Sequence, residues 1–315
     1  MAHHAIAATN TSHDNAHEWG AFIIWHGVYV RALEEALQSI DSSVAVPYWV
    51  TLSLSSANTF HRITYYTSPL LCQDWTIDSA TSKPSSSAIF TDKYFGAATA
   101  ASNYQVLTGN MAKWSVSTSP SSLGVSWQSP NGYLRSTDNY NGSPYVNRYV
   151  QSSTSLSLPT TTMWNTCKSM ETYDTFVNCV WGSIGSIGGQ SIIHAGPHMW
   201  AGGSWQEAGS KGSTMGDVMD PVTSPNDPLF FSHHSNLERL YYKWRQQTGD
   251  ALATSADPCG SYYGTRVTDP QPSGHNLDDV FYPYFYAFGS AQPLTVSGAC
   301  TYMQTANNVY YTYDA

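Results

Sequence analysis

Histidines are concentrated in two parts of this 315-residue sequence. Five lie near the start and four lie downstream, at His3, His4, His13, His17 and His26, and at His194, His198, His233 and His234. Neutral imidazole is the commonest protein ligand for metal ions, and three imidazoles around one open position suit copper and also zinc. A zinc hydrolase would also need a carboxylate base close by, which neither group supplies. The two groups therefore indicate metal chemistry, with copper favoured over zinc.

The downstream histidines are expected to meet on two helices. His194 and His198 are four residues apart, which places both on one face of a helix. A second helix is predicted over roughly residues 228–247, because Asp227 before a proline is a favourable helix start. Apolar residues recur in it at intervals of three and four, and this pattern puts His234 on the buried face.

The upstream histidines flank a third predicted helix. Residues 18–40 carry apolar side chains at helical intervals with charged residues between them. His17 and His26 are placed to bind one ion from this helix and the loop before it, with a third ligand from further upstream. Any single histidine among aromatic residues is explained equally well as a buried core residue that binds no metal. Two groups of matching design favour metal binding over that reading.

Five segments carry motifs on which a family resemblance rests. Residues 17–26 are His-Glu-Trp-Gly-Ala-Phe-Ile-Ile-Trp-His, and residues 47–49 are Pro-Tyr-Trp. Residues 194–203 are His-Ala-Gly-Pro-His-Met-Trp-Ala-Gly-Gly, and residues 227–239 are Asp-Pro-Leu-Phe-Phe-Ser-His-His-Ser-Asn-Leu-Glu-Arg. Residues 311–314 are Tyr-Thr-Tyr-Asp. In this order they resemble the copper A signature, the Pro-Tyr-Trp segment, the two copper B segments and the closing Tyr-x-Tyr element of type-3 copper proteins, the family of tyrosinase, catechol oxidase and molluscan haemocyanin.

The resemblance implies a fold, two copper ions as cofactors and a set of ligands. The implied fold is mainly α, a tyrosinase-like four-helix-bundle core around a dicopper site, with long irregular loops and a few short strands, in one domain over residues 1–315. Copper A would be held by His4, His17 and His26, with His3 and His13 as alternatives to His4. Copper B would be held by His194, His198 and His234. The residues implied around the coppers or in the substrate pocket are His233, Trp25, Phe230, Ala195, Glu238 and Arg239.

The resemblance also implies an activity. Family members that hydroxylate monophenols usually have an asparagine directly after the first copper B histidine and a glutamate a few residues before it. Ala195 and Gln190-Ser191 stand there instead. Neither an alanine nor an amide or hydroxyl acts as a general base near neutral pH, so weak monophenol activity is expected. The implied function is oxidation of o-diphenols to o-quinones with dioxygen; the alternatives are an oxygen carrier or a structural or assembly protein on the same scaffold.

Composition limits the partners and the compartment. Only 11% of residues are charged, the net charge is −9, and no Lys/Arg cluster is present. We therefore expect no nucleic acid and no membrane as partners. The family resemblance implies dioxygen and a small phenol as partners, while self-assembly stays open. The sequence has neither an apolar leader nor a long apolar run, and it carries glycosylation motifs at Asn10 and Asn141. A secreted glycoprotein with its signal peptide removed is expected.

The five cysteines favour disulfides over a metal site, because no Cys-x-x-Cys pair is present. Proximity along the chain suggests the pairs Cys167–Cys179 and Cys259–Cys300, which leaves Cys72 over. Spacing alone leaves the connectivity open.

Overall fold

A computed structural model of the chain is mainly helical, as predicted. It describes residues 7, 15–17, 19–49, 74–116, 143–150, 158–181, 193–203, 216–219, 224–248, 273–281, 283 and 293–305. The α-helices of this part are α1 (Phe22–Gln38), α2 (Trp75–Ser79), α3 (Thr161–Lys168), α4 (Tyr173–Trp181), α5 (Ala195–Gly202), α6 (Leu229–Thr248) and α7 (Val296–Thr305). Short 3₁₀ helices lie at Pro84–Ser86, Ala88–Phe90, Ala100–Ser102, Asp217–Met219 and Ser224–Asn226.

Extended structure is sparse in the described residues. It consists there of isolated antiparallel bridges, Gln105 with Asn147, Ser115 with Tyr145 and Val280 with Thr295. The expected few short strands are therefore reduced to single bridges in this part of the chain. Among the same residues, no helix has the length and apolar character needed to cross a bilayer.

The two long predicted helices form the centre of the fold. Helix α1 packs against α6 and α7, and α3 packs against α6 and α4. The core they enclose is rich in aromatic residues, since several tryptophans are almost fully buried: Trp25, Trp49, Trp75, Trp200 and Trp244. Burying large rings supplies much of the hydrophobic stabilisation of such a core.

The start of α6 follows the capping pattern in the sequence. A carboxylate oxygen of Asp227 accepts a hydrogen bond from the backbone N–H of Leu229 at 3.0 Å. This bond satisfies one of the backbone donors that a helix leaves free in its first turn. The observed helix begins at Leu229, one residue after the predicted start, and it reaches Thr248.

Helices α3 and α4 were not predicted from the sequence, but the disulfide that joins them was. Cys167 on α3 is bonded to Cys179 on α4, which confirms the first proposed pair. Cys300 is also disulfide-bonded. Its expected partner Cys259 and the remaining Cys72 lie outside the described residues.

Replacing both Cys167 and Cys179 with alanine is expected to lower the free energy of unfolding by about 3 kcal/mol. The bond closes a loop with a sequence separation of 12, and opening a loop of this size restores about that much chain entropy to the unfolded state. Urea unfolding of the double variant measures the change. Asn165→Ala, at an exposed position of the same helix, is the control and should stay within about 0.5 kcal/mol of the parent. Equal stability of parent and double variant would contradict the prediction.

The region around α7 is joined to α1 by two long-range contacts. The Arg31 guanidinium donates to the backbone oxygen of Tyr302 at 2.6 Å and lies 4.0 Å from the centre of the Tyr302 ring. At the N-terminal end of α1, the Ala21 N–H donates to Nδ1 of the buried His275 at 3.2 Å. These contacts hold α1 in place from the C-terminal third of the chain. The single domain over residues 1–315 stays a prediction.

Candidate metal centre

Four buried histidines form a compact group between α5 and α6. They are His194, His198, His233 and His234, and one ring nitrogen from each lies within 4.8 Å of those of the others. His194 is the residue that precedes α5, and His198 lies one turn into it. Their ring centres are 4.9 Å apart, as the spacing of four residues predicts for one helix face. The other two histidines come from the second turn of α6.

The ring of His198 is oriented by a backbone carbonyl. Its Nδ1 donates to the oxygen of Val218 at 2.5 Å, so its Nε2 carries the free lone pair. This Nε2 faces Nε2 of His234 at 3.3 Å. Two imidazole nitrogens bound to one ion at about 2.0–2.1 Å in tetrahedral geometry lie about 3.4 Å apart. The two nitrogens therefore have the separation of ligands that share a metal ion.

The other rings of the group contain nitrogens that lack a hydrogen-bond partner. These atoms are Nε2 of His194, Nδ1 of His233 and Nδ1 of His234, all buried. His233 donates through Nε2 to the backbone oxygen of His194 at 2.9 Å. Buried polar atoms without partners cost free energy, and a metal ion bound among them would remove part of that cost. The donor set consists of imidazoles alone, which fits copper.

Burial keeps these imidazoles neutral. Loss of solvation lowers the pKa of His198 to about 4, and it holds the pKa of His194, His233 and His234 well below its usual value. Neighbouring imidazoles lower the pKa of these three further, because each disfavours a second positive charge nearby. A neutral imidazole has the lone pair that metal binding requires.

The metal-free protein is expected to lose stability as the pH falls from about 6.5 to about 4. In this range the unfolded chain takes up protons on its histidines, whereas the folded chain, in which the pKa of His198 is about 4, does not. Stability therefore rises with pH, by up to about 1.4 kcal/mol per pH unit for each such histidine. Urea unfolding of metal-free protein between about pH 7 and about pH 5 measures the trend. A midpoint that stays constant over this range would contradict it.

The two upstream histidines in the described part pack against the downstream group. The ring of His26 stacks on that of His234, with centres 4.1 Å apart and planes 11° apart. His26 donates through Nδ1 to the backbone oxygen of Phe22 at 2.9 Å, which leaves its Nε2 for another interaction. The ring of His17 is 5.1 Å from that of His26 and 6.3 Å from that of His194. The two sequence groups thus meet in space.

Some of the expected residues lie outside the described part of the chain. They are His4 and its alternatives His3 and His13, the positions Gln190 and Ser191, and the glycosylation candidates Asn10 and Asn141. The third ligand expected for copper A therefore stays a prediction, and so does glycosylation.

The residues expected beside the coppers occupy different kinds of position. The ring of Phe230 lies 4.2 Å from that of His234, and Trp25 lies 5.1 Å from His26. Both rings are almost fully buried, so in this structure they pack the core around the histidines. Ala195 is the first residue of α5 and is partly exposed.

Glu238 and Arg239 lie further along α6. Glu238 is buried. Arg239 forms an ion pair with Asp74 at 3.0 Å, and its guanidinium lies over the ring of Trp164. Asp74 in turn caps α2, because its carboxylate accepts a hydrogen bond from the backbone N–H of Thr76 at 2.8 Å. Arg239 therefore connects α6 to α2 and α3. It lies more than one helical turn along α6 from the histidines of that helix.

Trp181 is an aromatic neighbour of the group that sequence reasoning missed. Its ring stacks on that of His194 at 5.0 Å and lies 5.6 Å from that of His17. It is the last residue of α4, which the disulfide through Cys179 joins to α3. No pattern near Trp181 pointed to this contact, because it depends on how α4 packs in three dimensions.

Comparison with known proteins gives a consistent result. The common central domain of tyrosinase matches residues 1–247. Tyrosinase HcTyr2 of Hahella sp. is 25% identical over 311 residues, which cover 82% of this chain and 52% of that protein. The tyrosinase of Streptomyces antibioticus is 25% identical over 250 residues, which cover 77% of this chain and 68% of that protein.

One solved structure that this chain matches is that of a polyphenol oxidase from Thermothelomyces thermophila. The TM-score is 0.47 at 18% identity, and the match covers 81% of this chain and 61% of that one. This chain thus spans about half of HcTyr2 and about three-fifths of the solved polyphenol oxidase.

Proposed function

Because this chain belongs to the family defined by the common central domain of tyrosinase, whose members bind two copper ions, we propose that it oxidises o-diphenols to o-quinones with dioxygen. The reaction converts two diphenols and one dioxygen into two quinones and two waters. Copper, when bound, supplies the one-electron steps that this exchange requires. The protein supplies neutral ligands, their orientation and a site shielded from water.

The proposed ligand sets follow the two histidine groups. His194, His198 and His234 would hold copper B, and His17 and His26 would hold copper A together with one of the first histidines. The observation that carries the proposal is the 3.3 Å approach of the Nε2 atoms of His198 and His234 inside a buried group of imidazoles. His233 would support the site through its bond to the backbone of His194.

Three features of the chain serve this role. The carbonyl of Val218 fixes the tautomer of His198, and the carbonyl of Phe22 does the same for His26. Such bonds from the outer ring nitrogen orient a ligand and raise its basicity. Ala195 offers no base for the proton of a monophenol, so oxidation of o-diphenols, which needs less help from a base, is favoured. Secretion and glycosylation remain parts of the proposal.

The proposal is tested by measuring oxygen uptake and quinone formation when copper-loaded protein meets catechol. We expect about one dioxygen consumed for every two quinones formed. Metal-free protein and zinc-loaded protein are the controls, since zinc has no redox chemistry. A protein that holds copper without oxidising catechol would favour an oxygen carrier. A chain that takes up no copper would favour a structural role and would end the enzyme proposal.

A further inference from the structure

We propose that Asn147 and Arg148 position two ligands of the same copper ion, His198 and His234, from a loop far from both in the sequence. The inference rests on the proposed copper B site. It assigns a positioning role to a part of the chain in which no motif was recognised.

Arg148 holds the start of α6. Its guanidinium makes two bonds to the carboxylate of Asp227, at 2.6 and 2.7 Å, and neither side chain is exposed. It also donates to the backbone oxygens of Phe95 and Gly96 at 2.6 and 2.9 Å. A guanidinium bound in this way has a fixed position.

Contacts in the first turn of α6 link the position of His234 to that of Asp227. The carboxylate of Asp227 accepts from the N–H of Leu229, and its backbone oxygen accepts from the N–H of Phe230. Phe230 and His234 are four residues apart, and their rings lie in contact with centres 4.2 Å apart. The register and tilt of the turn that carries His234 therefore depend on the ion pair with Arg148.

Asn147 acts on the other ligand through the short helix Asp217–Met219. Its backbone N–H donates to the carboxylate of Asp217 at 2.7 Å, and its backbone oxygen accepts from the N–H of Asp217 at 2.8 Å. The next residue, Val218, provides the carbonyl that orients His198. Two hydrogen bonds to one residue thus fix the carbonyl that selects the tautomer of this ligand.

The close packing around this turn leaves little freedom for the carbonyl to move. A Cβ atom on Gly216 would lie 2.6 Å from the backbone oxygen of Asn147. On the opposite side, a Cβ atom on Gly202, at the end of α5, would lie 2.6 Å from Cβ of Met219. The turn is therefore held between Asn147 and the helix that carries His198.

The test measures both copper affinities of the full chain by competition with a chelator. Arg148→Met is expected to weaken one of the two by about 10- to 100-fold, the range typical of residues that orient metal ligands. The other affinity should stay within about threefold. Asp217→Ala acts on the second ligand of the same ion and is expected to weaken the same affinity.

Two further variants separate positioning from folding. Arg148→Met/Asp227→Asn removes both buried charges and keeps a residue that caps helices well, so it is expected to fold and still show the weakened affinity. Lys93→Met removes an exposed charge in the loop that Arg148 binds and is expected to leave both affinities unchanged. Melting of the metal-free proteins reports on folding.

The outcomes are distinct. Unchanged affinities in Arg148→Met, or two affinities that fall together by the same factor, would overturn the inference. Parent protein that binds both coppers without oxidising catechol would overturn the proposed activity and leave this test intact. Parent protein that binds no copper would overturn both.

Discussion

His234→Ala is expected to retain one copper ion per chain in place of two. It should oxidise catechol at least about a thousandfold more slowly, which corresponds to an activation free energy higher by about 4 kcal/mol. The ring of His234 stacks on His26 at 4.1 Å, and its Nε2 faces that of His198 at 3.3 Å. Alanine removes this nitrogen and leaves a cavity between the two histidine groups. Two-electron chemistry that needs a pair of ions cannot proceed with one.

Two further variants show whether the effect comes from the lost imidazole, from the lost side-chain volume or from any substitution in this helix. His234→Gln fills most of the space without the imidazole and is expected to lose copper as well. Gln246→Ala, at an exposed position of the same helix, should bind two coppers and react at the parent rate. Copper is counted by elemental analysis of desalted protein. Retention of two coppers in both His234 variants would contradict the ligand assignment.

The second large effect concerns substrate choice. Copper-loaded protein is expected to oxidise 4-methylcatechol at least about a hundredfold faster than p-cresol, the matched monophenol. General bases contribute about 10²- to 10⁴-fold when they take a proton in the reaction, and Ala195 provides none. Initial rates of quinone formation with the two substrates measure the ratio. Similar rates with both substrates would contradict this part of the account.

The same reasoning predicts a gain of function. Gln190→Glu/Ala195→Asn is expected to raise p-cresol oxidation by about tenfold or more while 4-methylcatechol oxidation stays within about threefold. Ala195→Leu adds bulk without a hydrogen-bonding group and serves as the control. If the control raises p-cresol oxidation as much as the double variant, the effect is one of pocket shape, and the explanation by proton transfer is wrong.

The long helices could be predicted because their patterns are long. Residues 18–40 and 228–247 each show apolar spacing over several turns, and the observed helices Phe22–Gln38 and Leu229–Thr248 differ from these ranges by a few residues at most. The paired positions of His194 and His198 follow from the geometry of one helix. The sequence alone was therefore enough to predict the helices that carry most of the histidines.

The remaining features depend on contacts between distant residues. Helices α3 and α4 have 8 and 9 residues, too few for periodicity to distinguish them from loops. Arg148 lies 79 residues before its partner Asp227, and nothing in its local sequence indicates a buried ion pair. The stacking of Trp181 on His194 likewise depends on how α4 packs.

The central claim is that six histidines hold two coppers, and a crystal structure of copper-loaded protein with anomalous data at the copper edge tests it most directly. We predict two peaks about 3.5–4 Å apart, the usual separation in two-metal sites. One should lie among His194, His198 and His234, and the other beside His17 and His26. A single peak, or a peak bound by His233 in place of His234, would contradict the account.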